Sequence, residues 1–321
     1  MHELADSIAV QSNQAALRQR LAADGYLFFR RLLRPADVQA AYDSVRTELS
    51  LGGWTDSAGR PVGPQRAVTV RDGLGDPSFR AALASRALNR LAYLPPLRGL
   101  IRLILGTGAF SYPVKVLRVV YPESPLKINP LKISQLKGTQ LKVPKGRYVH
   151  QDFAVAGVQD MLTTWLPLMD IPAPLGGLAV LPGSHLGPPL RPQLLRADEP
   201  RWATTDYRPG DVLLFHCLTA HAALPNHGDL LRVSADFRWQ AADQSAPSEL
   251  VLGPAAASGR RARHAELYGR LLSREPWWEP VPAGLMLYSR EQLLAAPLAP
   301  SRLFQVHPGW QRWRPPAGAV H

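Results

Sequence analysis

Residues 146–155 read GRYVHQDFAV, with a histidine and an aspartate two positions apart in an apolar, β-prone run. In a strand, positions i and i+2 point to one face, so His150 and Asp152 can aim at one point while Gln151 looks away. An imidazole nitrogen and a carboxylate oxygen fill two corners of an open site suited to Fe(II). Taken alone, the pair reads more readily as a polar patch on a strand's solvent face. A third ligand, a histidine on another strand, is what would decide the matter.

The chain has nine histidines. His2 and His321 are terminal, His264 sits in a basic helical stretch and His307 in the tail, which leaves His185, His216, His221 and His227 open. His221 gains weight from Arg232, because the turn signal PNHGD lies midway between them. Both residues then come to rest at the same end of the fold. If their strands join opposite sheets, the inner faces are about 10 Å apart. That gap suits a short dicarboxylate, with one end chelating a metal at His221 and the other on the Arg232 guanidinium. The planar fork of arginine meets a carboxylate with two parallel hydrogen bonds. Arg232 also falls inside an alternating apolar strand, where an unpaired charge would be costly.

The elements that must carry these groups can be read in outline. Residues 12–51 are predicted to be helical around a short strand: Leu17 and Leu21 fall in the first helix, GYLFF gives the strand, and Val38, Ala41, Val45 and Leu49 repeat at helical spacing in the second. A further helical stretch is FRAALASRALNRLAYL, and strands begin near 110. The second half has short apolar runs punctuated by Gly and Pro, of which TTWLPLMDI, GGLAVLPGSH, GDVLLFHCLTAH and LRVSADFRWQ are the clearest. The expected fold is mainly β with flanking helices: a double-stranded β-helix, the jelly roll of cupin-like proteins. One domain is expected over 1–321, with helical support at 1–109, the jelly-roll core at 110–245, and a C-terminal helix and irregular tail at 246–321.

Bulk properties exclude several classes. Cys217 is the only cysteine, so neither an intramolecular disulfide nor a multi-thiolate zinc site is available. The opening MHELADSIAV has acids where a signal peptide has bases, and the apolar runs are too short to cross a bilayer. The expectation is a cytoplasmic protein without a membrane span. Net charge is +12, but Pro125–Arg147 alone carries five lysines, one arginine and no acid. Aromatic residues do not interleave with those charges as a base-stacking platform requires, so nucleic acid is not expected as a partner.

LAADGYLFFRRLLRPADV, HQDF, WLPLMDIPAPLGGLAVLPGSH and GDVLLFHCLTAHAALPN followed by Arg232 together resemble the phytanoyl-CoA dioxygenase family of iron- and 2-oxoglutarate-dependent oxygenases. They cover about half the chain, in the family's order and spacing. The resemblance implies an Fe(II), 2-oxoglutarate- and O2-using hydroxylase of a small molecule, releasing succinate and CO2. His150, Asp152 and His221 would be the iron ligands and Arg232 the anchor of the distal carboxylate of 2-oxoglutarate. Trp165 would line the cosubstrate site with Gln151 near it, and Ser234 could assist at the far end. His185, in the family's PGSH turn, reads as structural, and His216 as a variable position facing the core. The family often has a small hydroxyl residue where Ala223 stands, so support for the near carboxylate differs here. Asp152 favours hydroxylation over the halogenation of relatives that lack the carboxylate. The rival reading is a metal-binding jelly-roll module without turnover, which would have no need of Arg232. A third, weaker reading is a nucleic-acid or protein hydroxylase.

PLKIN, PLKIS, QLKGT and QLKVP, residues 125–144, are four tandem pentapeptides whose period fits neither helix nor strand. They read either as an insertion without a chemical role or as a basic lid near His150 that favours an anionic substrate.

Overall fold

The computed structural model describes residues 1–62, 75–113, 115–123, 149–187, 201–251, 279, 281–296 and 301–304. The pentapeptides at 125–144 and the basic stretch near His264 lie outside them. The strands are β1 (His2–Glu3), β2 (Tyr26–Phe29), β3 (Phe110–Ser111), β4 (Val116–Val120), β5 (Leu162–Pro167), β6 (Leu178–Val180), β7 (Ala203–Thr204), β8 (Val212–His216), β9 (His221–Ala223), β10 (Arg232–Gln240), β11 (Ala246–Pro247) and β12 (Leu287–Tyr288). The helices are α1 (Gln14–Asp24), α2 (Pro35–Leu51), α3 (Pro77–Leu83), α4 (Arg86–Arg90), α5 (Pro95–Leu105), α6 (Phe153–Ala156), α7 (Ser248–Val251) and α8 (Arg290–Ala295).

Local chemistry explains the N-terminal elements. The Asn13 side chain caps α1 by accepting from Ala16 N–H, and Gly25 ends it in the left-handed region at φ 77°. A Cβ at Gly25 would also collide with His185 and Thr219, so glycine alone fits where the chain turns into β2. Pro35 opens α2 at its first turn, and Val38, Ala41, Val45 and Leu49 form its buried stripe. Helix α5 begins at a Pro pair and buries Leu97, Leu100, Ile101 and Ile104.

Two sheets form the jelly roll. The larger has the order β2-β8-β5-β10-β3, with β4 also paired to β10; the smaller has the order β1-β7-β6-β9. Strand β10 is the centre of the larger sheet, antiparallel to both β4 and β5. All nine of its residues are buried, yet its two faces differ. Val233, Ala235, Phe237 and Trp239 share the main core with Leu17, Val38, Val45 and Ile101 of the helices. Arg232, Ser234, Asp236, Arg238 and Gln240 take the opposite face. The helix–strand–helix opening and the β-rich second half match the sequence reading.

The turn between His221 and Arg232 also delivers the two residues to opposite sheets, with β9 in the smaller and β10 in the larger. One local expectation fails. His150 makes an isolated bridge to His221, but Asp152 has helical angles (φ −63°, ψ −19°) and immediately precedes α6 instead of continuing a strand. The i, i+2 rule therefore does not explain why the two side chains converge.

Candidate metal centre

A two-way backbone bridge sets the two histidines side by side. His150 N–H donates to His221 O (3.1 Å), and His221 N–H donates to His150 O (3.0 Å). Their rings lie 4.2 Å apart between centroids. The turn into α6 then swings Asp152 back toward them, its Phe153 N–H tied to Cys217 O at 3.0 Å. Asp152 Oδ1 comes 3.8 Å from His150 Nε2 and 3.9 Å from His221 Nε2. The donor atoms of His150, Asp152 and His221 all lie within 4.8 Å of one another. Two imidazole nitrogens and one carboxylate oxygen on one side of a point suit ferrous iron and leave the other positions open.

Neighbours fix the state of His221 and of Asp152. The His221 Nδ1 proton is donated to Thr219 O (2.9 Å), which leaves the Nε2 lone pair facing Asp152. Burial pushes His221 down against the pull of the Asp152 carboxylate, so the ring is neutral and able to ligate near pH 7. Burial would raise Asp152, but Arg238, His221, His150 and a hydrogen bond from Thr163 outweigh it and hold the carboxyl well below its usual range. Thr163 Oγ1 donates to Asp152 Oδ2 at 2.6 Å, and Arg238 Nη2 lies 3.3 Å from Oδ1.

The other sequence candidates are placed as follows. Arg232, 1% exposed, donates through Nη1 to the carbonyls of Gly176, Gly177 (3.3 Å) and Leu224 (3.0 Å). Gly176 is held at φ 64°, and a Cβ there would run into the Pro225 carbonyl, so only glycine lets this carbonyl approach. Leu224 is three residues beyond His221, roughly 10 Å further along the strand direction. Trp165 lies on β5 beside Asp236, on the same face as Thr163, with its ring edge-on to Tyr207 at 4.7 Å. Among the described residues the buried Ser234 hydroxyl has no hydrogen-bond partner, and neither has Asp236 Oδ1. Gln151 turns its amide to Leu218 O (2.5 Å), tying the turn to the β8–β9 connection.

The competing histidines lie elsewhere. His216 points to the opposite face of β8, 3.4 Å from Asp160 Oδ1. His185 bonds the Ala22 carbonyl (3.1 Å), and burial pushes it down to about 4. His227 lies at the surface turn, 4.0 Å from Glu123.

Thr163, Arg238 and the Thr219 carbonyl are partners that the sequence reading missed. The alternation in RVSADFRWQ was the available signal, since Arg238 stands an even number of residues from Arg232 and so shares its face. Thr163 stands two before Trp165 for the same reason.

A double-stranded β-helix bearing a His–Asp–His cluster on its inner face defines the class. The profile of the phytanoyl-CoA dioxygenase (PhyH) family matches residues 21–234, two-thirds of the chain, and the chain belongs to that family. The 1-deoxypentalenic acid 11-beta-hydroxylase of Streptomyces arenae is 33% identical in an alignment 116 residues long, with 29% of this chain and 41% of that protein covered. Its counterpart in Streptomyces exfoliatus is 30% identical over 115 residues, again 41% of its length. Among solved structures, EctD from S. alaskensis with 2-oxoglutarate and 5-hydroxyectoine aligns with TM-score 0.52 at 17% identity, covering 90% of this chain and 95% of that one. The non-heme monooxygenase ThoJ in complex with Ni aligns with TM-score 0.50 at 17% identity, covering 80% and 96%. These two likenesses concern the fold. Among the described residues no helix is long and apolar enough to cross a membrane.

Proposed function

We propose that this chain is a non-haem Fe(II)- and 2-oxoglutarate-dependent dioxygenase that hydroxylates a small organic molecule. The observation that carries the reading is the convergence of His150, Asp152 and His221 opposite an inner face that holds Arg232. His150, Asp152 and His221 would hold the iron, and the buried Arg232 would take the distal carboxylate of 2-oxoglutarate. The unpartnered hydroxyl of Ser234, two residues along the same face, offers that carboxylate another donor. Iron with 2-oxoglutarate and O2 supplies the oxidising equivalent for a C–H bond, with succinate and CO2 as co-products. The chain's own residues do the rest. Thr219 keeps His221 in its ligating tautomer, Thr163 holds one oxygen of Asp152, and Trp165 and Phe215 wall the site against water. Gln151 steadies the turn that carries the first two ligands from behind.

Residues 1–321 are proposed to act as one oxygenase domain. In support, β1 pairs with β7 of the smaller sheet, and Ser301 and Arg302 bond Asp160 beside the core. An anionic substrate is favoured by the overall charge of +12, since on the inner face Arg118 and Arg238 are matched by Asp236 and Asp152 and Arg232 would be taken by the cosubstrate. A cytoplasmic location fits the ferrous requirement and the single buried thiol of Cys217. The test is succinate release from 2-oxoglutarate by the iron-loaded protein in air without added substrate. Release that vanishes in His221→Ala establishes the oxygenase. Tight iron binding with no succinate at any 2-oxoglutarate concentration would leave a metal-binding module.

A further inference from the structure

Arg238 has no place in the ligand set above, yet its guanidinium touches both oxygens of Asp152, with Nη2 3.3 Å from Oδ1 and Nε 3.5 Å from Oδ2. The side chain is 6% exposed and rises from the inner face of β10 directly opposite Thr163, whose hydroxyl holds Oδ2 at 2.6 Å. Oδ1 is the oxygen that faces the two imidazole Nε2 atoms.

We propose that Arg238 is a positioning residue that, with Thr163, restricts Asp152 to one-oxygen ligation, and that its guanidinium serves as counter-ion for whatever anion occupies the carboxylate's place. The inference rests on the iron reading of the cluster. Its logic is steric and electrostatic. A carboxylate free to turn could offer both oxygens to a metal and cover a position needed by the cosubstrate. Here Thr163 engages Oδ2, and Arg238 lies along the carboxylate edge, so rotation costs two interactions. Both contacts to Arg238 exceed the 2.7–2.9 Å of a tight charge-assisted hydrogen bond, which leaves Oδ1 a lone pair for metal. Arg238 also accounts for the burial of Asp152 before any metal arrives, since an ionised carboxylate buried without a partner is strongly unfavourable.

A merely structural arginine and a counter-ion give different results when Asp152 is removed. Asp152→Gly would leave a buried cation beside an open metal position, where a small carboxylate can settle. The experiment is titration with Co(II), followed by its visible absorption, with formate as the added anion. Wild type should bind Co(II), and Arg238→Met should bind it about 10–100-fold more weakly. Arg238→Lys, which retains charge but loses the fork, should fall between them, with a changed Co(II) spectrum. Formate should restore Co(II) affinity to Asp152→Gly and fail to do so in Asp152→Gly/Arg238→Met. That double variant leaves no uncompensated charge and is expected to fold even where Arg238→Met does not. Formate rescue of equal size in the single and double variants would overturn the proposal, as would wild-type Co(II) affinity and spectrum in Arg238→Lys and Arg238→Met. Failure of wild type to bind Co(II) at all would instead remove the iron reading.

Discussion

Strand β10 has two faces of equal burial and opposite chemistry. Val233, Ala235, Phe237 and Trp239 pack in the main core beneath the helices, where the interaction is apolar area removed from water. Arg232, Ser234, Asp236 and Arg238 are as thoroughly buried and present three charges and a hydroxyl. Some of these are matched within the protein: Arg238 by Asp152, and Asp236 Oδ2 by Arg118 at 2.6 Å. Others are not, since Ser234 Oγ and Asp236 Oδ1 lack partners among the described residues. A buried polar atom without a partner costs about 1–3 kcal/mol, so unmatched atoms gathered on one face mark where a ligand or ordered water belongs. Burial alone does not separate core from site on this strand; the gathering of unmatched polar atoms on one of its faces does.

Substitutions on each face should part along the same line. The largest effect belongs to the ligands. His150→Ala and His221→Ala should abolish Fe(II) binding and succinate formation while far-ultraviolet circular dichroism stays that of wild type. His216→Ala, on the other face of β8, should keep metal. The reverse pattern, with metal lost in His216→Ala and kept in His221→Ala, would refute the choice of distal ligand.

On the apolar face, Phe237→Ala should cost about 3–5 kcal/mol of stability in denaturant unfolding. The metal affinity of the folded fraction should not change. Arg232→Ala should weaken 2-oxoglutarate binding by roughly 2–5 kcal/mol with iron affinity retained. An unchanged Michaelis constant for 2-oxoglutarate in that variant would sever Arg232 from the cosubstrate.

A polar exception on the helix-side face sharpens the comparison. Burial would raise the Asp160 carboxyl, but His216, the Arg302 N–H and the Ser301 hydroxyl outweigh it and hold it below its usual range. A depressed carboxyl adds stability that is fully present above the unfolded value near pH 4 and is lost as pH falls through the lower folded value. Asp160→Asn should therefore lower the Tm at neutral pH and flatten the acid limb of a plot of Tm against pH. A limb as steep as that of wild type would show that Asp160 is not responsible for it. The smallest effect is expected from Ser234→Ala, roughly 0.5–1.5 kcal/mol in 2-oxoglutarate binding. No change there would assign the unpartnered hydroxyl to substrate or water.

Much of this was legible in the chain because it is local or periodic. The stripe Val38, Ala41, Val45 and Leu49 specifies α2. The turn PNHGD placed His221 and Arg232 at one end of the fold. Asp152 was misread because a strand rule was carried past the end of the strand. The β-bridge stops at His150, and the next residues enter α6. Arg238 escaped notice because its role depends on Asp152, 86 residues away in sequence.

Residue types and apolar spacing pointed by themselves to the jelly roll, and the motifs that carry the family resemblance singled out His150, Asp152, His221 and Arg232. These depend on side-chain chemistry and on periods of 2 and 3.6, which a sequence displays directly. Only the tertiary structure decided that the His150–His221 bridge, rather than strand alternation, brings the ligands together. It alone gave His216 its partner Asp160, and it set Thr163 and Arg238 on the two oxygens of Asp152. Those are contacts between elements distant in the chain, fixed by sheet register and by the need to match every buried charge.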